Sequence, residues 1–194
     1  KKPNFSKLKL DFKGIYYIPR IIKKAKLGDA ALLSEIIKIF KKEKIQTISS
    51  TIFTPELNLS KGNYSKYKPN LQDKTDIKNF LKALNKTNQY SHIQGAVSKN
   101  NIVILEKKDG TQKMLKKIKK LKNISNGVLV KFPKKKQDHR VDLPTIGLNT
   151  LKQCNASGIK GIILKHRKNI FLDKKKSINY ANKNKMFILV KWKK

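Results

Sequence analysis

Residues 127–147 read GVLVKFPKKKQDHRVDLPTIG. The opening GVLVKF is almost continuously apolar, the pattern of a short strand covered on both faces. A helix is expected over Asn149–Ala156, ending near Gly158, so the quoted stretch is a strand, a long loop and the approach to a helix. Working outward, Gly161–Leu164 and Asn169–Leu172 read as strands joined by a basic turn. Asp173 caps a helix reaching about Asn182, and Met186–Trp192 closes the chain as a strand. Upstream, Thr111–Leu121 carries Met114, Leu115, Ile118 and Leu121 at helical spacing, with Asn123 and Gly127 at its exit. Tyr90–Val97 and Asn101–Glu106 read as strands turning at Asn100-Asn101. Thr75–Gln89 reads as a helix on Ile77, Phe80, Leu81 and Leu84, capped by Asp73 or Thr75. Strands alternating with helices predict an α/β fold.

Residues 51–72 (TIFTPELNLSKGNYSKYKPNLQ) break this rhythm with two prolines, Gly62 and many polar residues, and read as a linker between two subdomains. Tyr64 and Tyr67, set among lysines there, suit either base stacking or packing onto a neighbouring domain; packing is the simpler reading. Ahead of the linker, Asp29 stands at the cap of a helix whose apolar face is Leu32, Leu33, Ile36, Ile37 and Phe40. Ile45–Ile48 reads as a short strand. Residues 1–27 are basic, and Pro19 is expected to interrupt any continuous helix there.

The 194 residues are 38% hydrophobic, enough for one domain or two small ones, and no apolar run approaches the length of a bilayer span. The chain opens on Lys1 without a signal-peptide pattern, as a fragment or trimmed chain would. Cys154 is the single cysteine, so no internal disulfide forms, and its helical setting marks it as a small buried hydrophobe rather than a nucleophile.

The net charge of +35 points towards nucleic acid, an anionic membrane or a phosphorylated ligand. Of the 47 basic residues only Arg20, Arg140 and Arg167 are arginines, the residue suited to bidentate reading of guanine or phosphate. The lysines run along the whole chain beside many Ile and Asn, the mark of AT-rich codon usage rather than of a nucleic-acid footprint.

Chemistry concentrates in residues 131–147. Loops at the carboxyl ends of strands are where open α/β sheets bind ligands. Asp138 and Asp142 are two of only twelve acids, and Arg140 and His139 lie between them. Lys131, Lys134 and Arg140 suit phosphate oxygens. Thr145 and Gly147 stand at the start of a helix whose open N–H groups suit an anion. Asp138 and Asp142 suit a divalent cation such as Mg²⁺, which is usually held by one or two carboxylates plus substrate phosphates; alternatively, either orients a water as a base. A solvated turn with two caps and an ion pair explains the same residues. His139 reads as a surface residue first and a proton shuttle second. Asp109-Gly110-Thr111 opens another helix, where Gly110 and Thr111 either contact an anion or form a turn and cap. No Walker loop, dinucleotide fingerprint, nucleophile elbow or zinc spacing is present.

GVLVKFPKKKQDHRVDLPTIG resembles the signature of the LpxI family of UDP-2,3-diacylglucosamine pyrophosphatases. There a strand, Lys, Pro, Gln-Asp, Arg and the DLPTIG run follow in this order. GIKGIILKHRKNIFLD resembles the family's paired strands before the last helix, and GDAALLSEIIKIF its helix at the end of the first domain. KPNFSKLKLDFKGIYYIPRII resembles the basic segment ahead of that helix. DGTQKMLKKI resembles a segment that more often has Asp where this chain has Gln112. The family's opening strand and glycine-rich turn are not represented.

The resemblance implies two α/β domains: residues 1–50 as the remainder of the first, 51–72 as linker and 73–194 as a complete mixed α/β catalytic domain. It implies hydrolysis of UDP-2,3-diacylglucosamine to UMP and 2,3-diacylglucosamine 1-phosphate (lipid X), with Mg²⁺ or another divalent cation. An essential aspartate is carried onto Asp138 and Asp142 together, leaning to Asp142 because it begins DLPTIG. Lys131, Gln137, Arg140 and Thr145 are carried over as substrate contacts. A cytoplasmic protein peripheral to an anionic inner-membrane surface is consistent with the basic charge and a diacyl substrate. A homodimer is a further expectation; a specific nucleic-acid partner is not. The competing reading is a non-catalytic basic module for nucleic acid or anionic lipid. Such a module gains nothing from Asp138 and Asp142, and its affinity would fall steeply with salt. A truncated, inactive paralogue is a third reading.

Overall fold

The computed structural model of the protein describes residues 9–86, 94–97, 103–106, 110–121, 126–133 and 138–191. The sequence is an alternation of short elements: α1 (Phe12–Ala25), α2 (Asp29–Lys42), two 3₁₀ turns (Ser50–Ile52 and Pro55–Leu57), β1 (Gly62–Asn63) and α3 (Leu71–Lys86). They are followed by β2 (Gln94–Val97), β3 (Val103–Leu105), α4 (Gly110–Lys120), β4 (Gly127–Lys131), β5 (Thr145–Ile146) and α5 (Leu148–Ala156). Then come β6 (Ile159–Lys165), β7 (Ile170–Phe171), α6 (Lys174–Lys183) and β8 (Phe187–Lys191).

Six strands form one mixed sheet in the order β1-β8-β6-β4-β2-β3. Its centre, β4, β6 and β8, is parallel, while β2, β3 and β1 join antiparallel at the flanks. The pleat sends alternate residues of each apolar run to opposite faces. Leu129, Ile162, Leu164, Ile188 and Val190 pack with Met114, Leu115 and Ile118 of α4, Leu151 and Cys154 of α5 and Ala181 of α6. Val128, Val130, Phe132, Ile163 and Phe187 pack with Ile77 and Phe80 of α3. Helices on both faces explain why GVLVK reads as unbroken apolar sequence rather than as an alternation.

Gly161 marks the closest approach within this core. A Cβ there would lie 2.0 Å from the Phe187 ring, so the strand passes under Phe187 only as glycine.

Several sequence expectations change. Ile45–Ile48 is not a strand; these residues run without a ladder partner, and a strand does not persist without one. α1 continues through Pro19, although an interior proline costs about 3 kcal/mol. The turns around it are tied to α2: Arg20 Nη2 lies 2.6 Å from the buried Glu35 Oε1, and Tyr17 donates to Glu43 Oε1 at 2.7 Å. α3 starts at Leu71 because Asn70 and Asp73 exchange backbone-to-side-chain hydrogen bonds of 2.9 and 2.8 Å, a capping box. β6 and β7 do not pair with each other; β7 pairs in parallel with β5 in a separate two-stranded sheet. Asp173 does stand at the cap of α6, but in left-handed backbone and without a side-chain cap bond. The expected turn at Asn100-Asn101, Asn123 and Trp192 lie outside the described residues.

The stretch read as a linker is built into the sheet from Leu59 onward. Leu59 is fully buried, β1 pairs with β8, and Ile188 N donates to Ser65 Oγ at 2.9 Å. Buried Asn169 acts as a strand partner for Leu59: its Oδ1 accepts from Leu59 N at 3.1 Å, and its Nδ2 donates to Leu59 O at 3.2 Å. Tyr64 packs against the core and donates to Ser60 O at 3.1 Å.

Candidate active site at the carboxyl edge of the sheet

The three central strands end at one edge, and each ends in lysine: Lys131, Lys165 and Lys191. Register sets them side by side, with Lys131 opposite Leu164 and Lys165 opposite Lys191. A lysine at the end of an apolar strand lays its stem on the core and holds its charge at the rim. The row was open to reading in the sequence as GVLVK, IKGIILK and FILVK, yet it becomes a cluster only once strand order is known.

Residues 138–147 lie beside this edge. Asp138 O accepts from Asp142 N at 2.9 Å and Val141 N at 3.2 Å, closing a turn. Residues 144–147 then lie flat along β7, through Ile170 N to Pro144 O at 2.9 Å and Leu172 N to Ile146 O at 2.8 Å. Lys131 Nζ reaches over to Thr145 O at 3.3 Å. Gly147 is extended, not left-handed; its role is closeness, since a Cβ would lie 3.2 Å from Leu172 Cβ. Gly147 caps α5 without a side-chain bond, which leaves the first amides of that helix open towards the edge.

The structure brings together Lys131, Asp138, Arg140, Asp142, Thr145 and Gly147. Lys134 and Gln137 lie outside the described residues. Gly110 and Thr111 reach the same edge by another route. β3 runs parallel to β4 with β2 between them, so Glu106 stands about 10 Å from Lys131, two strand spacings away. Thr111 donates its hydroxyl to Glu106, and Gly110 has a left-handed φ of 81°, the backbone of a turn.

Asp138 and Arg140 form a two-pronged ion pair. Arg140 Nε donates to Asp138 Oδ1 at 3.0 Å and Nη2 to Oδ2 at 2.6 Å, while Arg140 N also donates to Oδ1 at 3.0 Å. The guanidinium holds the Asp138 carboxyl down at about 2. Arg140 Nη1 reaches the carbonyl of Thr47 at 3.4 Å, so one side chain links the turn to the segment after α2. Between them is a cavity of about 410 Å³ lined by Ile37, Lys41, Lys44, Ile45, Gln46, Thr47 and Arg140.

His139 is pushed below its ordinary 6.5 by burial and then by the charges of Lys168 and Lys165; Asp138 and Asp142 act in the opposite direction. It lies in the field of Lys165 at the end of β6, of Lys168 in the β6–β7 turn and of the two acids. Sequence distance hid Lys165 and Lys168 from the site. His166 is structural: its Nδ1 accepts from Lys61 N at 2.9 Å, which anchors the linker. Cys154 is fully buried and its thiol is pushed up to about 12, so it is no nucleophile.

Among the described residues no group of three or more His, Cys, Asp or Glu side chains is placed to hold a metal. A hard cation at this turn would take Asp142 and substrate oxygens, with Asp138 held by Arg140, rather than a closed protein cage.

A mixed α/β sheet whose parallel strands end in lysines, with an acid-bearing turn beside them, defines an α/β protein with a basic carboxyl edge. Residues 60–189 match the family model described as the LpxI C-terminal domain. The chain is 31% identical over 196 residues to the UDP-2,3-diacylglucosamine pyrophosphatase LpxI of Caulobacter vibrioides, across 97% of this chain and 70% of that protein. This chain belongs to the LpxI family.

Proposed function

We propose that this protein hydrolyses the pyrophosphate of UDP-2,3-diacylglucosamine to UMP and 2,3-diacylglucosamine 1-phosphate in lipid A biosynthesis. The observation that carries this reading is the DLPTIG turn of an LpxI-family chain, set at the carboxyl edge of three strands that end in lysine. One P–O bond of the anhydride breaks and water adds across it. The residues must neutralise the phosphates, place a water and manage a proton.

Lys131, Lys165 and the open amides of α5 supply positive potential at the edge. Asp142 is the better candidate for the essential acid. Asp138 has both oxygens committed to Arg140 and is too weak a base to take a proton near neutral pH. Asp138 thus positions Arg140, and Asp142 orients the water. His139, whose protonation is held down by burial and by Lys168 and Lys165 and which lies within the field of both acids, is suited to carry the proton away. Asp142 would hold Mg²⁺ together with substrate oxygens, and Asp138 would join by releasing one prong of Arg140. The ion would polarise a phosphoryl oxygen.

No helix among the described residues is long and apolar enough to cross a membrane. We place the enzyme in the cytoplasm, peripheral to an anionic inner-membrane surface. The basic charge and α1, with exposed Phe12, Ile15 and Tyr16 among its lysines, support that placement.

The test is release of UMP from UDP-2,3-diacylglucosamine by the purified chain, with Mg²⁺ and with chelator. Metal-dependent release is expected. Equal release in both conditions would remove the metal from the reading; absence of release in a folded protein would remove the reading.

A further inference from the structure

We infer that Asn169 is a positioning residue for the reaction, because its buried amide fixes the corner from which the β6–β7 turn and the 144–146 run are both held; this rests on the function proposed above. Asn169 is fully buried, and its amide is bonded on every side. Oδ1 accepts from Leu59 N at 3.1 Å, while Nδ2 donates to Leu59 O at 3.2 Å and to Lys165 O at 2.8 Å. One acceptor and two donors in a single plane is the set a carboxamide carries. A carboxylate of the same shape lacks the donors, and a glutamine is one methylene too long.

What Asn169 joins makes it more than a stitch in the linker. Lys165 O also accepts from Lys168 N at 3.1 Å, so the bond from Nδ2 helps close the turn that carries both lysines. On the other side of Asn169, Ile170 N donates to Pro144 O at 2.9 Å and Leu172 N to Ile146 O at 2.8 Å. Those two bonds hold the run that follows Asp142, the proposed essential acid. The anchor for both is Leu59, which is packed in the core beside Leu164 and Val190. Asn169 thus sets the strand-end lysine and the acid-bearing run against one fixed point. Arg167 N also donates to Leu59 O at 3.0 Å, but that bond holds the middle of the turn and reaches neither Lys165 O nor β7. A reacting group displaced by about 1 Å can lose about 10²-fold in rate, so the corner bears on turnover without touching substrate.

The experiment compares wild type, Asn169→Ala and Phe80→Leu, the last a core change on the α3 face that lowers Tm without touching the turn. UMP release from UDP-2,3-diacylglucosamine is measured below all three melting temperatures, beside amide exchange at residues 170 and 172. Asn169→Ala is expected to lower kcat about tenfold or more while KM moves less than about threefold, since the lysine charges act at a distance whereas turnover needs alignment. Exchange at Ile170 and Leu172 should quicken more than in Phe80→Leu, whose kcat stays within about twofold of wild type. A kcat kept in Asn169→Ala, or lost equally in Phe80→Leu, would overturn the role. Asn169→Ser, which keeps one polar atom, carries the same test if the alanine variant does not fold. If wild type releases no UMP, the proposed reaction falls, and the exchange comparison alone decides whether Asn169 holds the corner.

Discussion

Asp138 and Asp142 are alike in sequence and different in setting. Arg140 grips Asp138 with two nitrogens and lowers its carboxyl from 3.8 to about 2, whereas Asp142 begins the run that lies along β7. Asp142→Asn is expected to lower turnover by about 10²–10⁴-fold with Tm unchanged. Asp138→Asn should instead raise KM more than it lowers kcat, because what it releases is Arg140. Steady-state kinetics on both variants decides between the assignments. The same pair sets a pH dependence. A depressed carboxyl contributes stability that is present above its unfolded value of 3.8 and is lost as pH falls through about 2. Wild type and Asp138→Asn should therefore converge in stability across that acid window, as followed by thermal melts at stepped pH. At His139 burial first and then the positive neighbours hold protonation down, so Lys168→Ala should raise its pKa in part, read from the imidazole proton shifts in NMR.

Elements in this fold meet at places where one atom decides. Gly161→Ala would put a methyl 2.0 Å from the Phe187 ring in the middle of the parallel sheet. A loss of about 3 kcal/mol is expected by denaturant titration, partly recovered when Phe187 is also shortened. Asn169 plays the part of a missing strand for Leu59. Asn169→Ala leaves the buried Leu59 N–H without a partner, while Leu59 O keeps Arg167 N at 3.0 Å, and should cost about 1–3 kcal/mol, with faster hydrogen exchange at residues 59–61. The helix pair α1–α2 rests on less. Tyr17 and Ile39 are its buried apolar side chains, so the buried Glu35 depends on Arg20. Removing the arginine strands that charge in a setting where such losses run to about 3–5 kcal/mol.

The molecule as a whole carries +35 charges, and their bearing on function is local. A few lysines converge on the strand ends and on the cavity beside Arg140; many of the others lie on the helices. Binding to anionic vesicles should weaken steeply as salt is raised, because surface attraction is screened within a Debye length, whereas turnover of detergent-dispersed substrate should change far less. Co-sedimentation and assay over one salt series separate the two. Chelation is expected to stop turnover and leave Tm unmoved, since the proposed cation is completed by substrate oxygens and supports no part of the core.

The local order of this chain was legible in its residues. Apolar runs, helical spacing and glycine exits place the helices and strands of the catalytic part to within a few positions, because a strand or helix buried in a layered α/β fold writes its period into the sequence. The strand–loop–helix stretch with DLPTIG likewise marked out the family. Where a side chain finds its partner was decided only by the tertiary structure. Ile45–Ile48 has strand composition and no neighbouring strand, α1 passes Pro19 because α2 holds it, and a linker becomes a sheet edge because Asn169, 110 positions away, completes its hydrogen bonds. Lys165 and Lys168 join His139, and Lys41 and Lys44 join Arg140, for the same reason. Periodicity is local along the chain, while pairing, burial and electrostatic fields act through space.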